Sequence, residues 1–302
     1  MNTDTVLTET HKIALALSYC HFLKGGERLR VSKAVGSFQE LTAWKVRDFE
    51  RVVERHIRTA GAQLSALPHL VRHGIQTMRC YQIKMVFKDD DAFPSWLREI
   101  SDVPFVLFYR GTLPCATQPI VGMVGTRTPT GEGVRNSLAF SKACAESGIA
   151  IVSGLARGID GFCHKGALAG GGYTLAVLAC GVDQLYPRSN SALAARIIET
   201  GGCILSEYAP SEHVMRYRFP ERNRLISGLA RSLVVMEAPK KSGALITALC
   251  ALEQGRDVYV YEPLLESLQN EGGRLLHAEG ARALTCVQDM FDDWEYACTG
   301  RT

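Results

Sequence analysis

From Ile120 onward the chain repeats one pattern: a short, wholly apolar run, then a longer amphipathic stretch. Residues 120–125, 149–153, 174–179, 203–207, 233–238 and 258–261 are such runs. A strand open to water on one face would alternate apolar with polar residues, so strands of this kind must be covered on both faces. Most of the segments between them are 15–25 residues long, with Ala, Leu and Ile at helical spacing, as in residues 136–147 and 193–200. Parallel strands need crossovers of that length, and helical crossovers cover the sheet. The expected fold class is therefore α/β, a doubly wound, mostly parallel sheet. In such sheets ligands bind outside the carboxyl ends of the strands, so function is to be sought in the loops that follow them.

The first third of the chain has a different grammar. Residues 11–70 repeat apolar positions near the helical period, among them Ile13, Leu15, Leu17, Leu41, Phe49, Val53 and Ile57, which predicts a small helical module. Residues 1–80 carry twelve Lys and Arg against seven Asp and Glu, a charge that a solvated helix surface explains without a nucleic-acid partner. Residues 74–119 read as a connection that packs on the sheet, with short strands at 77–86 and 105–109 separated by Asp89, Asp90, Asp91 and Pro94. The expected division is a helical unit over 1–73 and a sheet domain over 74–302.

The 302 residues carry 34 Lys and Arg against 31 Asp and Glu, and a net +3 identifies no polyanionic partner by itself. Any electrostatic signal must be local. No apolar run approaches the roughly 20 residues that span a bilayer, and residues 1–10 carry no signal-peptide core, so a cytoplasmic protein without a membrane partner is expected. The ten cysteines form no C-x-x-C pair and read as small core residues. Neither metal nor cofactor is expected.

The strand-end loops share one electrostatic sense. After the first run come Gly125, Thr126 and Arg127, then Gly131 and Gly133 leading into a helix, where exposed amides and a guanidinium would grip a phosphate. Neither the dinucleotide fingerprint nor the nucleoside-triphosphate loop is present. The second loop holds Ser153, Gly154, Arg157, Gly158 and Asp160, the last read as a helix cap rather than an acid or base. His164 and Ser153 lack a nucleophile elbow, which argues against a hydrolytic triad. The third loop carries Tyr186, placed either to stack on a base or to fill a gap, and Arg188 just before a helix at Ser189 or Asn190. The richest stretch is residues 213–232, with Arg216, Arg218, Arg222, Arg224 and Arg231 against Glu221 alone, and with Tyr217 and Phe219 among them. Rings beside guanidinium groups suit single-stranded nucleic acid, and a salt-bridged dimer seam would use the same charges. The fifth loop sets Lys240 and Lys241 against a helix capped by Ser242. The loops look built to hold phosphates and, lacking clustered carboxylates, not to break them.

In order and at natural spacing, Gly125 to Arg127, Ser153 to Asp160, Tyr186 to Asn190, Ser206 to Tyr208, Phe219 to Arg224 and Lys241 to Thr247 resemble the DNA-processing protein A (DprA/Smf) family. The resemblance covers residues 120–262, extends more weakly through residues 91–111, and likens the helical module to a sterile-alpha-motif (SAM-like) domain. It implies an extended Rossmann-like domain that binds single-stranded DNA as a homodimer, protects it, and loads the RecA recombinase in natural transformation or recombination, without catalysis. By motif, Gly125, Thr126 and Arg127 would grip a phosphate beside Ser153, Gly154, Arg157 and Gly158, Phe219 would contact a base, and Arg216 stands where the family tends to carry a basic contact. Arg188, Arg222, Asn223, Arg224, Lys241 and Ser242 complete the implied contact set. The chain departs from the family pattern at residues 261–281, where Tyr261, Glu262 and Pro263 replace a Pro-Gly, and no C-terminal winged helix is expected before Thr302. The alternative is a nucleotide-binding Rossmann-like hydrolase or phosphoribohydrolase using Glu207 or Glu237.

Overall fold

The computed structural model describes residues 7–58 and 61–299. Five helices come first: α1 (Glu9–Ser18), α2 (Gly25–Ala34), α3 (Phe38–Ala43), α4 (Val46–Val53) and α5 (Gly61–Tyr81). Thr8 and Ser37 cap α1 and α3 by accepting from the backbone amides of His11 and Glu40. The inward positions Leu15, Leu41, Phe49, Leu67 and Val71 are buried together with Val106, Phe108 and Ile204 of the sheet. The helices thus share a core with the sheet rather than enclosing one of their own.

Two strands, β1 (Lys84–Phe87) and β2 (Val106–Gly111), lead into the sheet and pair antiparallel. Residues 77–81, expected in a strand, are the last turn of α5, because Leu67, Val71 and Met78 keep one apolar stripe of that helix buried. Gln82, with φ of +54°, ends it. The expected boundary at residue 73 therefore falls inside a helix, and the chain turns to strand only after Tyr81.

The remaining elements are β3 (Ile120–Val124), α6 (Gly131–Glu146), β4 (Ala150–Ser153), α7 (Ile159–Ala169), β5 (Thr174–Val177), α8 (Ser191–Glu199), β6 (Cys203–Ser206), α9 (Arg218–Leu229), β7 (Ser232–Val235), α10 (Gly243–Glu253), β8 (Asp257–Tyr261), α11 (Glu271–Ala278), β9 (Arg282–Leu284) and α12 (Val287–Thr299). All six predicted apolar runs are strands, and every residue of β3 to β7 is buried. The order across the sheet is β1-β2-β6-β5-β4-β3-β7-β8-β9, and β3 to β9 run parallel. The chain steps outward from β3 through β4, β5 and β6, then returns to the other side of β3 with β7. The β3–β7 junction, in register from Val121↔Ser232 to Val124↔Val235, is the switch point where a doubly wound sheet opens a crevice.

Among the described residues, three cysteines depart from the expected core role. Cys80 on the last turn of α5, Cys115 in the β2–β3 loop and Cys286 in the turn before α12 are exposed. No described helix is long and apolar enough to cross a membrane.

Candidate nucleic-acid interface

The Gly125–Arg127 turn is wedged between two neighbouring strand exits. The Thr126 amide donates to Glu237 O at the end of β7 (2.7 Å), and Thr126 O accepts from the Ile159 amide at the start of α7 (3.1 Å). A side chain on Gly158, whose φ is +78°, would lie 2.3 Å from Thr126 O, so only glycine lets the two loops approach this closely. Thr126 is buried by these contacts, whereas Arg127 projects into solvent with its guanidinium 5.2 Å from the centre of the Phe219 ring.

Phe219 is the second residue of α9, which delivers it to the mouth of the crevice. Gly125, Thr126, Arg127, Phe219, Lys241 and Ser242 line one cleft of about 300 Å³, with Arg222 and Asn223 at its buried side. Three loops, from β3, β6 and β7, thus converge on one place. Arg127 and Lys241 are exposed there and neither lies in an ion pair among the described residues. Ser242 stands at the cap position of α10, but its hydroxyl makes no capping bond and is buried without a partner.

Other predicted contacts prove to be framework. Ser153 is fully buried and its hydroxyl donates to Met123 O (2.6 Å). Arg222 is buried and donates to Gly154 O (2.9 Å) and Val177 O, tying the ends of β4 and β5 to α9. Asn223 donates to Gly243 O (3.3 Å). Arg224 faces away from the cleft, donating to Glu207 and to Asp102 O (2.7 Å). Arg157 and Arg216 are exposed nearby, and Arg188 lines a neighbouring cleft with Tyr186.

Asp160 does not cap α7 as expected. That position belongs to Gly158, and Asp160 sits one residue inside the helix, its carboxylate accepting from the Ala156 amide (3.4 Å). Burial pushes its acidity toward the neutral form, and the Arg222 guanidinium opposes that. His164 is buried against Thr174 Oγ1 (2.7 Å) and desolvation drives its pKa down to about 3, so it stays neutral as a core residue. Both strand-end glutamates are committed. Glu237 is fully buried and accepts from the Thr130 amide and hydroxyl (both 2.9 Å) and from Ser267 Oγ (2.7 Å), while burial raises Glu207 against the opposing charge of Arg224.

Two residues absent from the sequence reading, Thr130 and Asn270, and one it named only as a helix start and motif end, Asn190, hold the loops in place. Asn190 donates to Leu155 O and Ala156 O (both 3.0 Å), Thr130 carries the Glu237 bond, and Asn270 accepts from the Ala238 amide (2.8 Å) while donating to Leu264 O (2.9 Å). Their partners lie far off in sequence, which leaves no local signal. The buried arginines did carry one: Arg218, Arg222, Leu225 and Leu229 share a helical face.

A doubly wound, mostly parallel sheet with glycine turns, two exposed cations and a ring along its switch-point crevice defines a Rossmann-like α/β protein. Comparison with known proteins narrows that class. The family model described as DNA recombination-mediator protein A matches residues 84–295, and the chain belongs to that family. It is 40% identical over 207 residues to the DNA processing protein DprA of Streptococcus pneumoniae, covering 68% of this chain and 73% of that one. The X-ray structure of DNA processing protein A from the same species superposes with a TM-score of 0.73 at 31% identity, covering 95% of this chain and 98% of the other. DNA processing protein A from Helicobacter pylori, described for its single-stranded DNA binding mode, superposes with a TM-score of 0.63 at 25% identity over 72% of this chain and 97% of that one.

Proposed function

We propose that this protein binds single-stranded DNA across the β3–β7 switch point and does not cleave it. The observation that carries the reading is the cleft lined by Arg127 and Lys241, from separate loops, and by the Phe219 ring, over which Arg127 lies. Cations beside an accessible ring hold phosphates and stack bases without reading sequence. Gly125, Thr126, Gly154 and Gly158 act as the close-packed turn that presents Arg127, with Ser153, Arg222 and Asn223 beneath it, and Arg157, Arg188 and Arg216 extend the positive margin. Because Glu207 and Glu237 are bound to protein groups, neither offers the free carboxylate that the hydrolase alternative needs.

The family relationship supports the finer reading: a cytoplasmic recombination mediator that protects incoming single strands and loads a RecA recombinase, acting as a homodimer with the helices of residues 1–73 as a SAM-like unit. A homodimer is also supported by the exposed row Ile246, Leu249 and Leu252 on α10, apolar surface that a lone subunit leaves in water.

Fluorescence anisotropy with a labelled single strand and its duplex, at two salt concentrations, tests the binding. Tight, salt-sensitive binding to the single strand is expected, weakened by Arg127→Ala and by Phe219→Ala. A folded wild-type protein that binds neither form, or variants that bind as the wild type does, would sink the proposal.

A further inference from the structure

We propose that a second cleft beside the first takes the neighbouring nucleotide of a bound single strand, with Tyr186 as its stacking platform and Arg188 as its phosphate contact. The inference rests on the single-stranded DNA reading above and adds the direction in which the strand leaves the switch point. The cleft, of about 440 Å³, lies between the β5–α8 and β6–α9 loops and is lined by Asp183, Gln184, Tyr186, Arg188, His213 and Val214. It adjoins the first through aromatic contact, since Tyr186 packs edge-on against Phe219 with ring centres 5.9 Å apart, and Phe219 lies under Arg127.

A tyrosine that merely filled a packing gap would be covered, but Tyr186 leaves 46% of its surface in water. Arg127 with Phe219, and Arg188 with Tyr186, repeat the same unit of one exposed guanidinium and one accessible ring. That is the repeat a single strand presents, a phosphate and a base per nucleotide. The polar groups of the second cleft fit the same occupant. Asp183 accepts from the Ser211 amide (2.9 Å) on one carboxylate oxygen and from Gln184 Nε2 (2.7 Å) on the other, so both oxygens are engaged by protein donors. Gln184 is thereby held with its side-chain amide oxygen and second N–H unspent among the described residues, an acceptor and a donor side by side that complement the edge of a base.

The test moves 2-aminopurine one position at a time along a short oligonucleotide and reads its quenching on binding, with anisotropy in parallel. Wild-type protein is expected to quench two adjacent positions. Tyr186→Ala should lose one of them and weaken binding about 10- to 100-fold, as loss of a base–aromatic stack does. Tyr186→Phe should keep both, and Arg188→Ala should weaken binding and reduce the slope of log affinity against log salt by about 0.7. Two quenched positions surviving in Tyr186→Ala, or a single quenched position in the wild type, would overturn the second subsite and leave the Arg127–Phe219 reading standing. Loss of both positions in Tyr186→Ala would also overturn it, by making Tyr186 a prop for Phe219. No binding by the wild type would remove the DNA reading and this inference with it.

Discussion

Arg127, just after β3, and Arg222, on α9, both belong to the recognised motifs, yet the structure gives them opposite work. Arg127 stands in solvent over Phe219, whereas Arg222 is buried, donates to Gly154 O and Val177 O, and offsets the charge of Asp160. Removing a surface arginine changes stability little, within about 0.5 kcal/mol, so Arg127→Ala should melt as the wild type does while losing about 1–3 kcal/mol of DNA affinity. Arg222→Ala would leave the buried Gly154 and Val177 carbonyls without their donor and should cost about 3 kcal/mol of stability. Urea unfolding followed by circular dichroism separates the two: an unchanged midpoint for Arg222→Ala would contradict the framework role. Sequence alone listed both arginines as contacts because charge is visible in a sequence and burial is not. The pattern of Arg218, Arg222, Leu225 and Leu229 on one face of α9 was the available clue.

At the scale of elements, the β6–α9 loop that leads into α9 and its Phe219 is held by the N-terminal helices. Tyr19 donates to Pro210 O (2.8 Å), Thr77 and His73 reach the Ser211 hydroxyl (both 3.2 Å), and Glu212 joins His21 at the end of α1 (3.1 Å) to Arg218 of α9. Burial pushes the Glu212 carboxyl upward, but hydrogen bonds and charge from His21 and Arg218 outweigh it and hold the group below the ordinary glutamate range. A lowered folded pKa means that the stabilisation is present above the unfolded value, about 4.3, and is lost as pH falls through the folded one. Glu212→Gln should therefore cost about 2 kcal/mol at neutral pH, and the difference from wild type should shrink as the solution is acidified below that range. A gap independent of pH in chemical denaturation would show that the ion pair contributes nothing. The helices themselves were legible from apolar periodicity. Their grip on this loop was not, because Tyr19 and Pro210 are separated by 191 positions.

For the whole molecule, the proposals make two demands on the intact chain. Light scattering should give about twice the 33.1 kDa chain mass, and Leu249→Arg, which puts a charge on the exposed row of α10, should return it to a single copy. A wild-type protein that stays single at micromolar concentration would remove the homodimer. Affinity for a single strand should fall linearly on a log scale with salt, with a slope of about −0.7 for each phosphate neutralised, and a flat response would mean that the exposed arginines do not meet phosphates. By itself the sequence determined the parallel sheet, because runs such as 120–125 and 149–153 are apolar on both faces and cannot be stable half in water. It also placed glycines and basic residues together after several of the strands, as in Gly125 to Arg127 and Ser153 to Gly158, which is where the proposed phosphate contacts fall. Only the tertiary structure decided that residues 77–81 continue a helix, that Arg222 and Arg224 serve the framework, and that Arg127, Phe219 and Tyr186 form one row. The reason is physical: strand and helix follow from the periodicity of neighbouring residues, whereas burial and the meeting of loops depend on how separate segments pack in space.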